Sequence, residues 1–224
     1  MAQDADELHY MCVGSTIRHA DAQTIVWGTG VMNPRYRLRA QPRKVIGVRG
    51  PLGSAALSAM GYGEFTPIGD GALTMPRFFS PEIDQKHAVG LIPHYVDLDH
   101  SFCEIFREAG GLVISPQQEL EPYLRALLSC RVIVSSSLHG LIFAHAYGVP
   151  AIWVELSNRV IGEGFKFHDY YAFMGIDVPD DIPKWRFDQS IARNITRANC
   201  PPVPKISRNA PDMLREVLEA NNHA

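Results

Sequence analysis

Residues 130–155 read CRVIVSSSLHGLIFAHAYGVPAIWVE and carry more chemistry per position than any other stretch of the chain. The apolar run Val132-Ile133-Val134 reads as a buried strand that delivers Ser135, Ser136 and Ser137 to the start of a helix opening at Leu138. Serines at a helix start supply capping hydroxyls. The unpaired N–H groups behind them carry a partial positive charge suited to a phosphate or a carboxylate. His139 falls in the first turn, so a side chain that exchanges a proton near neutrality would stand beside such an anion. The same residues also describe a plain capped helix with one polar side chain near its start, because strand-turn-helix junctions recur throughout α/β folds. Both readings stay open at this level. His145 lies six residues on, about 120° around the helix, among Phe143, Ala144, Ala146 and Tyr147. It reads as a packing or interface histidine.

Such a junction has to be positioned by a sheet. Short apolar runs alternate with helix-like segments along the chain, the pattern of a mostly parallel sheet with crossover helices. Strands are expected at Thr24–Trp27 and at residues 44–48, 65–68, 88–92, 112–115, 132–134 and 151–154. A helix should start at Pro51, which suits a first turn, with Leu52, Ala55, Ala56 and Ala59 as its apolar face and Gly61 as its stop. Further helices are expected over residues 99–109, 121–130, 138–147 and 167–174. The stretch 76–86, with prolines and charges, interrupts the alternation and reads as a hinge. Beyond Pro179 the text is irregular and Pro-rich, and it ends in a helix over residues 211–220 with Met213, Leu214, Val217 and Leu218 as one apolar stripe. The expected organisation is therefore α/β: a short Rossmann-like lobe over 1–84, a second over 85–185, and a tail over 186–224.

Composition narrows the function classes. The chain has 224 residues, 46% of them hydrophobic, and a formal net charge of -3, with an isoelectric point near 6.3. No global field draws it to nucleic acid or to anionic lipid, so an anionic ligand must be held by a local set of donors. Cys12, Cys103, Cys130 and Cys200 are widely scattered, without a CxxC pair or short metal-ligand spacing, and read as reduced thiols. The acidic, polar opening MAQDADELHY is unlike a secretory leader, and the expected location is the cytoplasm, at most peripherally at the inner face of the membrane.

At this point the sequence resembles the polysaccharide pyruvyl transferases, in particular the branch that decorates exopolysaccharides such as succinoglycan. The resemblance is carried by Ser135-Ser136-Ser137-Leu138-His139-Gly140 and Ala144-His145-Ala146-Tyr147-Gly148-Val149-Pro150. It extends to Trp27-Gly28-Thr29-Gly30, Val48-Arg49-Gly50-Pro51-Leu52, Gly69-Asp70-Gly71-Ala72-Leu73, Gly90-Leu91-Ile92-Pro93-His94-Tyr95 and Gly164-Phe165-Lys166-Phe167. Each block is a weak signal, and the ordered set is fairly specific. The resemblance implies two lobes of glycosyltransferase-B type with the active site in the cleft between them. It implies phosphoenolpyruvate as donor, a cyclic pyruvate ketal built on two sugar hydroxyls, and release of phosphate. No cofactor and no metal is expected. The acceptor would be a saccharide, which a lipid carrier can bear.

Carried onto this chain, the resemblance makes His139 the general acid and Ser135, Ser136, Ser137 and Leu138 the donor-binding block. Several relatives carry Arg two residues before that histidine, where this chain has Ser137, so one anion contact is replaced. Arg49, at a strand's carboxyl end, would grip the donor's phosphate or carboxylate as a planar fork, or else be an exposed loop arginine. Asp70 would orient the acceptor hydroxyl or brace the cleft, although an Asp between glycines is often only a turn residue. His94 is assigned to the cleft or to a cap. Lys166, between two phenylalanines, either snorkels to water or faces the donor anion. Glu155 and Asn158 would touch sugar hydroxyls. Relatives usually begin with an additional βα unit, so the first lobe is expected to be short or incomplete. Two rival readings have the same expected fold: a nucleotide-sugar glycosyltransferase, for which Glu155 or Glu163 would hold the donor, and a non-catalytic binding module. A Rossmann dehydrogenase fits poorly, because Asn33 stands where the third glycine after Gly28 and Gly30 belongs.

Overall fold

The computed structural model of the chain describes residues 7–176. These divide into two compact units, one of residues 7–74 and 161–176, the other of residues 75–160. The mixture of helices with all-parallel sheets is an α/β architecture, as the alternation in the sequence requires.

The first unit is built on a three-stranded parallel sheet in the order β1-β2-β3, with β1 at His9–Met11, β2 at Thr24–Trp27 and β3 at Lys44–Gly47. Every residue of β2 is buried, which is why its sequence is a continuous apolar run and not an alternation. β1, only three half-buried residues long, gave no such run. The helix α1, Pro51–Ala59, starts at its proline as expected. Its inward face differs from the expected one: Gly53 and Leu57 are buried, whereas Leu52 is 40% exposed. The cause is a carboxylate described below, which draws the start of α1 inward at Gly53. Residues 65–68 were expected as a strand and form only an isolated bridge, Val48 to Pro67. A proline has no N–H to extend a ladder.

The second unit carries a four-stranded parallel sheet in the order β5-β4-β6-β7. Its elements follow in sequence as β4 (His87–Ile92), α2 (Ser101–Glu108), β5 (Leu112–Val113), α3 (Leu120–Leu128), β6 (Cys130–Ser135), α4 (Leu138–Ala146) and β7 (Ala151–Trp153). Val89, Leu91, Phe102, Phe106, Val134 and Val154 form its core. The strand order matters for function. From β4 the chain moves one way to β5, then returns to the other side of β4 for β6 and β7. The direction therefore reverses between β4 and β6, whose carboxyl ends pair at Ile92 and Ser135. Ligands in open α/β sheets bind beyond the strand ends at such a reversal.

The last described helix, α5 (Phe165–Met174), returns to the first unit and packs against α1. It starts two residues before the expected position 167, which puts Lys166 in its first turn. No described helix is long and apolar enough to cross a membrane. Cys12, Cys103 and Cys130 are free thiols. Cys200, the Pro-rich stretch and the expected helix over 211–220 lie outside the described residues.

Candidate functional site

At the reversal point of the second unit the three serines have separate jobs. Ser135 is fully buried; its Oγ lies 2.7 Å from the Ile92 carbonyl and 2.8 Å from the Ser137 carbonyl, and accepts the Ser137 N–H at 3.0 Å. That hydroxyl clamps the end of β6 to the end of β4. Ser136 accepts the His94 N–H at 2.9 Å and donates to Asp97 Oδ2 at 3.5 Å. Ser137 occupies the N-cap position of α4, but its side chain makes no capping hydrogen bond. The expectation that all three supply capping hydroxyls is thus corrected: two are used in joining strand ends, and the N-terminus of α4 is left without a side-chain cap. His139 sits half-buried in the first turn, its ring 6.3 Å from that of Phe143.

Asp97, which sequence reasoning missed, ties these pieces together. It is fully buried on the loop after β4. Its Oδ2 faces Ser136 after β6, and its Oδ1 accepts from Ser157 after β7 and lies 3.4 Å from Arg159 Nη2. One carboxylate therefore joins the loops at the carboxyl ends of three adjacent strands. Arg159 is held again by Asp99 at 2.8 Å. Asn158 is exposed between the two anchored residues, and Glu155 is half-buried just before them. His94 acts as a cap, its Nδ1 accepting the Val96 N–H at 3.5 Å, with its ring 4.5 Å from that of Tyr95. The structure thus brings His94, the serines and His139 to one junction, with Glu155 and Asn158 on the adjoining loop.

The first unit holds a second cluster. Arg49 is fully buried, not an exposed loop arginine, and its guanidinium is already engaged. Nε donates to Asp169 Oδ2 at 3.3 Å, Nη1 to Ser15 Oγ at 2.7 Å, and Nη2 to the Val31 carbonyl at 3.2 Å. Asp70 Oδ2 lies 4.0 Å away. The direct grip on a donor anion expected of Arg49 is therefore not the work this geometry gives it, because Asp169 takes up the fork. Asp70, also fully buried, accepts from Gly14 N–H at 3.3 Å and Ala72 N–H at 3.1 Å. These bonds tie the loops of Gly14 and Ala72 together within the first unit. Asp169 reaches further and accepts the Gly53 N–H at 2.8 Å, which fastens α1 to α5. Burial pushes its pKa above the usual carboxylate range, against the opposing pull of Arg49.

Two glycines permit this node. A Cβ on Gly30 would overlap the Arg49 guanidinium, and one on Gly50 would overlap Asp169. The blocks containing Gly30, Arg49-Gly50 and the residues after Gly164 are thus one interlocked structure. Lys166 is buried beside it, and burial, followed by the nearby Arg49 charge, lowers its pKa to about 8. No group of three or more His, Cys, Asp and Glu side chains able to hold a metal ion occurs among the described residues.

One comparison with known proteins identifies a family. A family profile described as polysaccharide pyruvyl transferase matches residues 3–158, which include both clusters apart from Arg159, Lys166 and Asp169. An uncharacterized protein of Acanthamoeba polyphaga mimivirus is 31% identical over 176 residues, covering 75% of this chain and 61% of that protein. The chain thus spans less than two thirds of the curated relative it matches. No solved structure matches.

Proposed function

Since the chain belongs to the polysaccharide pyruvyl transferase family, we propose that it moves a pyruvyl group from phosphoenolpyruvate onto two hydroxyls of a saccharide, releasing phosphate. The observation that carries this reading is the junction itself: a strand end at the sheet's reversal point leads into a helix without a side-chain cap and with His139 in its first turn. Helix N–H groups and the Ser137 hydroxyl suit the donor's anionic oxygens.

A proton from His139 adds to the methylene carbon of the enol, leaving an oxocarbenium at C2. One sugar hydroxyl attacks C2, and the bond from C2 to the phosphate oxygen then breaks. The second hydroxyl closes the ketal on the same carbon. Of the two hydroxyl protons lost, one restores His139 and the other leaves with phosphate. A positioned acid of this kind contributes roughly 10²–10⁴-fold. Lys166 is assigned to the donor's negative charge, and two Rossmann-like lobes of glycosyltransferase-B type to the fold.

The test is phosphate release from phosphoenolpyruvate in the presence of glucose- and galactose-containing oligosaccharides. His139→Gln should lower the rate by about 10²-fold or more. A rate unchanged by that substitution, or release from nucleotide sugars in place of phosphoenolpyruvate, would sink the proposal.

A further inference from the structure

The first unit contains a cavity of about 390 Å³ that none of the steps above uses. That volume falls in the ordinary range of small-molecule sites, roughly 300–1,000 Å³. One part of its lining is apolar: Pro34, Leu52 and Phe165. Leu52 is 40% exposed, so its apolar surface is accessible to a ligand. The other part is polar and bears both signs, with Asn33, Arg35, Glu163 and His168.

The walls are fixed in place. Asp169 fastens α1, which carries Leu52, to α5, which carries Phe165 and His168. Gly162 lies so close to Met32 that a Cβ would overlap its carbonyl, and this sets the loop of Glu163 against the loop of Asn33. Between them Glu163 is the one described non-glycine residue with positive φ, at 48°. A left-handed residue other than Gly or Asn costs stability and gathers at functional sites. Here the residue is part of the cavity's lining.

We propose that this pocket binds a sugar ring. The apolar wall suits the C–H face of a pyranose, and an amide, a carboxylate, a guanidinium and an imidazole suit its hydroxyls. The opposing charges of Arg35 and Glu163 leave little net field, which disfavours a phosphate or carboxylate ligand. Identifying that sugar as the acceptor rests on the pyruvyl transferase reading; the binding itself does not.

Saturation-transfer NMR on the intact chain, with cellobiose, lactose and mannobiose as probes, tests the inference. Transfer to ring protons of at least one probe is expected, with Kd about tenfold weaker in Asn33→Ala and in Phe165→Ala, equivalent to roughly 1.4 kcal/mol. Glu163→Gly relieves the backbone while removing the carboxylate, so it should bind more weakly although it folds at least as stably. That pairing separates a binding role from a structural one. Absence of transfer from all three probes overturns the pocket. So does transfer undiminished in Asn33→Ala and Glu163→Gly, or displacement of the sugar by inorganic phosphate. Phosphate release from phosphoenolpyruvate is measured alongside. Sugar binding in a chain that releases no phosphate keeps the pocket and removes the pyruvyl reading; release that neither variant alters keeps that reading and removes the identification of the bound sugar as the acceptor.

Discussion

Lys166 holds a charge where the fold leaves little water to solvate it. Burial, and then the Arg49 charge, bring its pKa from an ordinary 10.5 to about 8. Between those two values the unfolded chain binds more protons than the folded one, so stability contributed here rises as pH climbs from about 8 toward 10.5. Below about 8 the folded protein carries the full cost of the buried cation. Lys166→Met should therefore raise stability in urea denaturation at pH 7 by roughly 2–3 kcal/mol, with the gain fading above about pH 10. No gain at pH 7 would show that the ammonium is well compensated. An anionic donor near that ammonium would pull the proton back, so phosphoenolpyruvate binding at pH 8 should take up protons. Calorimetry in buffers of different ionisation heat reads that uptake. Lys166 was legible because a lysine between two phenylalanines contradicts its surroundings. Asp97 and Asp169 were not, since their importance lies in contacts 39 to 120 positions away along the chain. An Asp in a loop or on a helix looks the same whether solvated or buried. For Arg49 that hidden partner engages the guanidinium expected to meet an anion.

At the scale of elements, the order of strands and helices was readable because period and run length change sharply at Gly and Pro. The strand Thr24–Trp27, the proline start of α1 and the helix at Leu138–Ala146 all stand where the sequence places them. Three residues of β1 carry too little pattern to register, and the bridge at Pro67 looked apolar enough for a strand its missing N–H forbids. Strand order, and with it the reversal between β4 and β6, is a tertiary fact with no local signature. What fixes the loops at that reversal is Asp97. Asp97→Asn keeps the shape but puts an NH₂ where a carboxylate oxygen accepted from Ser136 or from Ser157 and Arg159. The substitution should cost about 1–3 kcal/mol. Hydrogen exchange should accelerate at the amides of 94–97, 135–137 and 156–159 together, while the strand interiors of β4 and β6 stay protected. Acceleration confined to the Asp97 loop would show that the three loops are held separately.

For the molecule as a whole, buried titratable groups set the pH range of stability more than the small net charge of -3 does. Burial lowers His145 from 6.5 to about 4, which keeps this packing imidazole neutral near neutrality. Between those values the unfolded chain takes up the proton first, so the stability tied to neutral His145 is complete above about pH 6.5 and is lost as pH falls toward 4. The loss amounts to about 3 kcal/mol. On the alkaline side the sign reverses. Burial raises Cys130 from 9.0 to about 11 and also raises Cys12, Cys103 and the phenols of Tyr123, Tyr147, Tyr170 and Tyr171. There the unfolded chain releases protons that the folded one keeps, so stability falls above about pH 9. Several acids outweigh the single opposing contribution of Lys166. Urea midpoints followed from pH 4 to 10.5 should therefore form a plateau between about pH 6.5 and 8.5 with a fall on either side. His145→Gln should flatten the acid limb and Cys130→Ala part of the alkaline one, each lowering the plateau by its own packing cost. An acid limb that keeps its slope in His145→Gln would assign that limb to other groups and leave the buried imidazole without influence on folding.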